Sequence, residues 1–206
     1  STGLSATALT GSTADGRLRP MAAASLTAGS WWLDSMTSNT STVIRLATPE
    51  DLPEMAKLAS LFLKEANLPQ SSRFNLQHWV SQWEKFLSSK VGVALIAVKS
   101  VAASHTPRQT DARIARSEII GGIGGFLSDD VFDASRTLTE AFWFLHPDHR
   151  GGRLGLRLLD AFEGWARLND CARIWMIHLT GFNSRLGIYY ARKGYSPVET
   201  YYFKDL

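Results

Sequence analysis

Glycine and arginine crowd one short stretch of this 206-residue chain: Leu145-His146-Pro147-Asp148-His149-Arg150-Gly151-Gly152-Arg153-Leu154-Gly155. It runs directly into Leu156, Leu158, Leu159 and Phe162, which repeat at helical spacing. Glycines at a strand-to-helix turn let backbone amides approach an anion closely, and a helix start adds unpaired N–H groups and partial positive charge. Arg150 and Arg153 bring full charges to the same place, so the stretch reads as a phosphate cradle. A tight turn that seats a helix on a sheet would use the same glycines, and the segment alone does not choose. It is neither a Walker loop, since no Gly-Lys-Ser/Thr follows, nor the dinucleotide fingerprint, whose glycines are spaced differently.

A second cluster runs from Asn183 to Tyr195. Asn183, Leu186 and Tyr190 are three and four residues apart and so share a helical face, and Gly194 suits the end of that helix. Taken by itself this is equally an ordinary helix with core aromatics and Asn183 as its cap. His146 and His149 flank the turn without acids at ligand spacing, so no metal site is expected. The single Cys171 excludes an internal disulfide framework and a cysteine zinc cage, and it fits a reducing, cytoplasmic setting. Charge is nearly balanced, with 22 Lys+Arg against 19 Asp+Glu and no run of five or six like charges, which argues against a nucleic-acid partner. No run approaches the roughly 18 apolar residues of a membrane-spanning helix.

The elements that must position these residues begin near Thr42. Residues 1–41 are rich in Ser, Thr, Ala and Gly and lack a sustained period, so they read as a flexible N-terminal extension or leader; Met36 stands where an initiator would. From residue 42 the patterning predicts a strand (Thr42–Leu46), a helix opened by Thr48 and Pro49 and running to about Ala66, and a helix over Leu76–Ser88. A strand over Val91–Val98 follows, then a polar loop over Ser100–Arg116 that is long enough to be functional. The remainder reads as strands at Ile119–Leu127 and Leu138–Leu145, a helix at Gly152–Leu168, a strand at Arg173–Leu179, a helix at Asn183–Lys193 and a last strand at Tyr195–Phe203. Three strands in a row followed by strand–helix alternation predict a mixed sheet. The glycines from Gly121 to Gly125 lead into an acidic turn rather than a helix, so close packing or a bulge is expected there.

The two clusters in this order resemble the GNAT superfamily of N-acetyltransferases. The turn corresponds to its Arg/Gln-x-x-Gly-x-Gly/Ala motif, here Arg150 to Gly155; the second cluster corresponds to its Asn, Tyr-Tyr and Gly-Tyr, here Asn183, Tyr189-Tyr190 and Gly194-Tyr195. Ile-Arg-Leu-Ala-Thr-Pro-Glu-Asp-Leu is similar to the family's opening, and the likeness spans about Thr42 to Leu206, a single domain over residues 42–206. The Arg-Gly-Gly-Arg-x-Gly-Leu-Arg-Leu variant looks most like phage-encoded members, and Arg153 departs from the Gly usual at its position.

The resemblance implies an α/β fold with a mixed, largely antiparallel central sheet of six to seven strands flanked by helices. It implies acetyl-CoA as co-substrate, held by Phe144, Leu145, Arg150, Gly151, Gly152, Arg153, Leu154, Gly155 and Asn183, and direct acetyl transfer to a primary amine. Tyr190 matches the family residue that protonates the departing thiolate; Glu140 and His178 are the candidates for the base. A small-molecule or protein amine would be the acceptor, with no membrane partner, and family members often pair as homodimers. Two alternatives stay open: a non-catalytic structural or interaction module on the same fold, and a toxin that acetylates aminoacyl-tRNA.

Overall fold

The computed structural model describes residues 41–101, 116–179, 181, 185–200, 202 and 204. The expected N-terminal extension, nearly all of the loop after residue 100, and Asn183 therefore lie outside the described residues. A five-stranded sheet runs in the order β1 (Thr42–Leu46), β2 (Gly92–Val101), β3 (Arg116–Asp129), β4 (Arg136–Leu145), β5 (Arg173–Trp175). Neighbours are antiparallel except β4 and β5, which are parallel. Helices α1 (Leu52–Glu65) and α2 (Leu76–Ser88) cover one face; α3 (Leu154–Leu168) and α4 (Leu186–Arg192) cover the other. No helix among the described residues is long and apolar enough to cross a membrane.

Local chemistry explains the helix starts. The Asp51 carboxylate accepts from the Thr48 N–H at 2.8 Å and from Arg45 of β1 at 2.6 Å, so one acid caps the entry to α1 and ties it to the sheet. Pro49 begins a short 3-10 turn, and α1 follows it directly. Asn75 caps α2 by accepting from the His78 N–H at 2.9 Å, and α2 spans the residues its apolar spacing predicts.

Both faces of the sheet are buried. Along β2, Val93, Leu95 and Ala97 enter the cluster under α3, while Ala94, Ile96 and Val98 enter the cluster under α1 and α2. A strand covered on both sides reads as a continuous apolar run, as this one does. Close packing also accounts for the glycines of β3. A Cβ on Gly124 would stand 2.6 Å from ring carbons of Phe142 and 2.9 Å from the Val93 carbonyl oxygen. Gly124→Ala is therefore expected to cost about 1–3 kcal/mol through overpacking, read as a lower urea midpoint with an unchanged slope.

The register of β3 against β4 shifts between Gly124 and Gly125: Gly124 faces Phe142, while Gly125 faces Glu140, leaving Ala141 as an extra residue. Beyond this bulge Phe142 and Phe144 pack toward α1 and α2, whereas Leu138 before it and Trp143 after it belong to the α3 side.

Two expectations about strands are corrected. The sheet holds five strands among the described residues, not six to seven, and residues 195–200 form none. Pro197 has no N–H to give a ladder, and Val198 is exposed. The strand expected over Arg173–Leu179 stops at Trp175 because side chains, rather than β4, take the backbone groups of Ile177 (below).

Candidate active site

At the end of β4 the chain passes through a 3-10 turn, Pro147–His149, and reaches α3 by way of Arg150 to Arg153. Gly151 has φ +84°, a conformation side-chain-bearing residues avoid, and a Cβ on Gly151 or Gly152 would meet nothing within 4 Å. The α3 N-terminus has no side-chain cap, so its first amides are presented with the positive end of the helix dipole, and Arg153 stands exposed beside them. Leu154 is half-buried in the α3-side cluster, and a Cβ added at Gly155 would stand 3.5 Å from the Leu145 side chain and 3.6 Å from that of Trp143. The Arg150 guanidinium donates from Nε to the Leu145 carbonyl oxygen at 2.9 Å and from Nη2 to Glu65 at 2.5 Å, joining the strand end to the end of α1.

The sheet opens next to this turn. β5 pairs with β4 at only three positions, Thr137 to Thr139. Continuing that register would set Ile177 beside β4, but the Ile177 N–H donates instead to a Glu140 carboxylate oxygen at 2.9 Å. The Ile177 carbonyl accepts from the Tyr190 hydroxyl at 3.0 Å. One backbone residue thus holds both candidate acid–base groups at the point where the strands part. Past it, the His146 N–H points back to Ile120 of β3 at 2.9 Å, so strand alternation turns the Leu145 N–H toward the opening.

Glu140 is 7% exposed and forms no ion pair among the described residues. Burial lifts its carboxyl from the usual 4.5 to about 7, against the opposing hydrogen bond from Ile177. Tyr190 is buried, and its phenol is pushed well above the ordinary tyrosine value, first by desolvation and then by the charge of Glu140 and by Tyr195. The carboxyl is thus poised near neutrality while the phenol that shares Ile177 with it stays protonated.

The bulge at Ala141 is what brings them together. Strict alternation would put Glu140 on the face of Phe142 and Phe144, away from Tyr190. The Trp143 and Tyr190 rings lie 6.2 Å apart on that shared side. Phe144 instead buries its side chain against Phe62 of α1, which leaves only its backbone near the opening. His178 is exposed, edge-on to the Tyr190 ring at 6.3 Å, and packs beside Gly187.

Sequence reasoning missed Ile177, Glu65 and Glu163. Ile177 acts through its backbone, so its side chain carries no signal. Glu163 did leave one: an acid four residues after Leu159 and three before Ala166 falls on the apolar face of α3, and it is indeed buried.

Residues 96–195 match the family model described as the acetyltransferase (GNAT) family. No curated protein matches the chain. Among solved structures, an acetyltransferase of Trypanosoma brucei is similar with a TM-score of 0.57 at 14% identity, over 81% of this chain and 100% of that one. A predicted acetyltransferase of Clostridium acetobutylicum, solved with acetyl-CoA, has a TM-score of 0.57 at 13% identity, over 80% of this chain and 96% of that one. AAC(6')-Iy, solved with the bisubstrate analogue CoA-S-monomethyl-acetylneamine, has a TM-score of 0.58 at 15% identity, over 81% of this chain and 98% of that one. At these identities the likenesses show the fold: a mixed α/β GNAT fold.

Proposed function

We propose, for a chain whose residues 96–195 match the acetyltransferase (GNAT) family model, that it moves an acetyl group from acetyl-CoA directly to a primary amine. The observation that carries this reading is the parting of β4 from β5, where Glu140 and Tyr190 meet on Ile177 and the Leu145 N–H faces the gap. The donor set suits acetyl-CoA: free strand-edge amides for an amide-bearing arm, and the open glycine turn, α3 amides and Arg153 for its phosphates. Arg150 would reach the same phosphates from its seat between Leu145 and Glu65.

Attack requires a neutral amine, and an alkylammonium has a pKa of about 10.4, so a proton must be taken up. Glu140 takes the ammonium proton before attack, and exposed His178 stands on the solvent side of that path. The Leu145 N–H donates to the thioester oxygen as negative charge grows there. As the carbon–sulfur bond breaks, Tyr190 gives its proton to the thiolate and is reprotonated by the proton that the acylated nitrogen sheds, so the phenol is restored. No acyl-enzyme forms on this route.

Calorimetric titration of the full chain with acetyl-CoA and with desulfo-CoA tests the reading. The expected result is micromolar binding of both, weakened about 10-fold by Arg150→Ala through the lost phosphate contact. A folded chain that binds neither at millimolar concentration would overturn the enzyme reading and leave a module that uses this fold without its chemistry.

A further inference from the structure

The residue that carries the proposed general acid sits on a short helix, and its anchorage is specific. α4 has seven residues, too few for a helix that is stable by itself in water. Its C-terminal end is tied to α3 by two carboxylates, of which Glu163 is the buried one. Glu163, 7% exposed, accepts from the Tyr195 hydroxyl at 3.2 Å, from Lys193 Nζ at 3.2 Å and from Arg167 Nη2 at 3.0 Å. Lys193 also reaches Asp160, one turn earlier on α3, at 2.6 Å. Both anchored residues bear on Tyr190: the backbone N–H groups of Lys193 and Tyr195 donate to the Tyr190 carbonyl at 3.0 and 2.9 Å, and the rings of Tyr190 and Tyr195 lie 5.4 Å apart.

We infer that Glu163 is a positioning residue for the transfer reaction, acting through Lys193 and Tyr195 to hold the Tyr190 hydroxyl at the cleft. The inference rests on the role proposed above for Tyr190. Glu163 touches no reacting atom. It links α3, whose first turn forms the phosphate cradle, to the helix that carries the acid, so the anion site and the proton donor share one frame. A carboxylate is the group that can do this: its two oxygens take one neutral donor and two cationic ones at once.

A double-mutant cycle decides it. Thiol release over a range of acetyl-CoA concentrations, with a mixture of ethanolamine, tyramine and spermidine as acceptors, is followed for the full chain, Glu163→Gln, Tyr195→Phe, Tyr190→Phe and the double variants. Glu163→Gln is expected to lower kcat about 10- to 100-fold with the KM for acetyl-CoA within about two-fold, since a misplaced group loses rate rather than binding. Tyr195→Phe, which removes one hydroxyl and leaves the packing, is expected to lose several-fold. In the Tyr190→Phe background both losses should fall below about two-fold, because there is no acid left to position. Penalties that multiply undiminished, or that appear in KM instead of kcat, overturn the assignment even if the enzyme is active. A folded wild-type chain that releases no thiol at all overturns the acetyltransferase reading, and the clamp's catalytic role with it.

Discussion

Tyr190→Phe is expected to lower kcat by about 10²- to 10³-fold and to leave the KM for acetyl-CoA within about two-fold. The hydroxyl lies in the opening between β4 and β5, bonded to the Ile177 carbonyl, and the ring is fixed by Trp143, His178 and Tyr195. Phenylalanine keeps those ring contacts and removes only the proton donor. The thiolate would then leave without an acid, and the cofactor contacts of the α3 turn would be untouched, so the loss belongs in kcat. The phenol pKa is raised by burial, so Tyr190 stays protonated throughout the neutral range and no loss of rate from its ionisation should appear there. The fold should survive: the change forfeits one hydrogen bond, worth about 1 kcal/mol. Steady-state kinetics with a melting curve on the same samples checks both parts. A KM that rises while kcat holds would assign Tyr190 to binding instead.

Glu140→Gln is the second large effect, and it has two signatures of opposite sign. Glutamine preserves the acceptor for the Ile177 N–H but cannot take a proton, so kcat/KM at pH 7.5 is expected to fall about 10²-fold. The wild-type rate should rise with pH through about 7 as the carboxyl ionises, and that limb should vanish in the variant. Stability should move the other way. The folded carboxyl binds its proton more tightly than the unfolded one, so its contribution is complete below about pH 4.5 and is lost as pH rises to about 7. The loss amounts to about 3 kcal/mol for a buried carboxylate shifted this far. Above pH 7 the Gln variant should therefore be the more stable protein, with a flatter profile, in urea titrations from pH 4 to 9. A variant less stable than wild type at pH 8 would mean that the ionised carboxylate has a partner that offsets its burial.

The local turns around this site were legible from residue order. The glycine–arginine turn before an apolar helix and the limits of α2 depend on capping, glycine geometry and helical spacing, all of which act within a few residues. Such local rules survive folding, and the turn and α2 stand where those rules put them. The placement of Glu140 is a different matter. Alternation along β4 assigns it to the face of Phe142 and Phe144, yet it shares the side of Tyr190 because Ala141 is an extra residue against β3. The glycines of β3 marked where close packing or a bulge would fall, but which residue of β4 is the extra one depends on two strands in register and is absent from the pattern of β4 alone.

The early end of β5 has the same origin, since Ile177 yields its N–H and C=O to side chains 37 and 13 residues away. Arg150 shows the contrast within one residue. Its charge and its place in the turn were fixed by the chain, while its grip on Glu65, 85 residues distant, exists only once α1 has packed over β4. Sequence determined which groups this protein has and which local turns present them. Tertiary structure decided which of them share a cleft, because strand register and helix docking bring together atoms that no local periodicity relates.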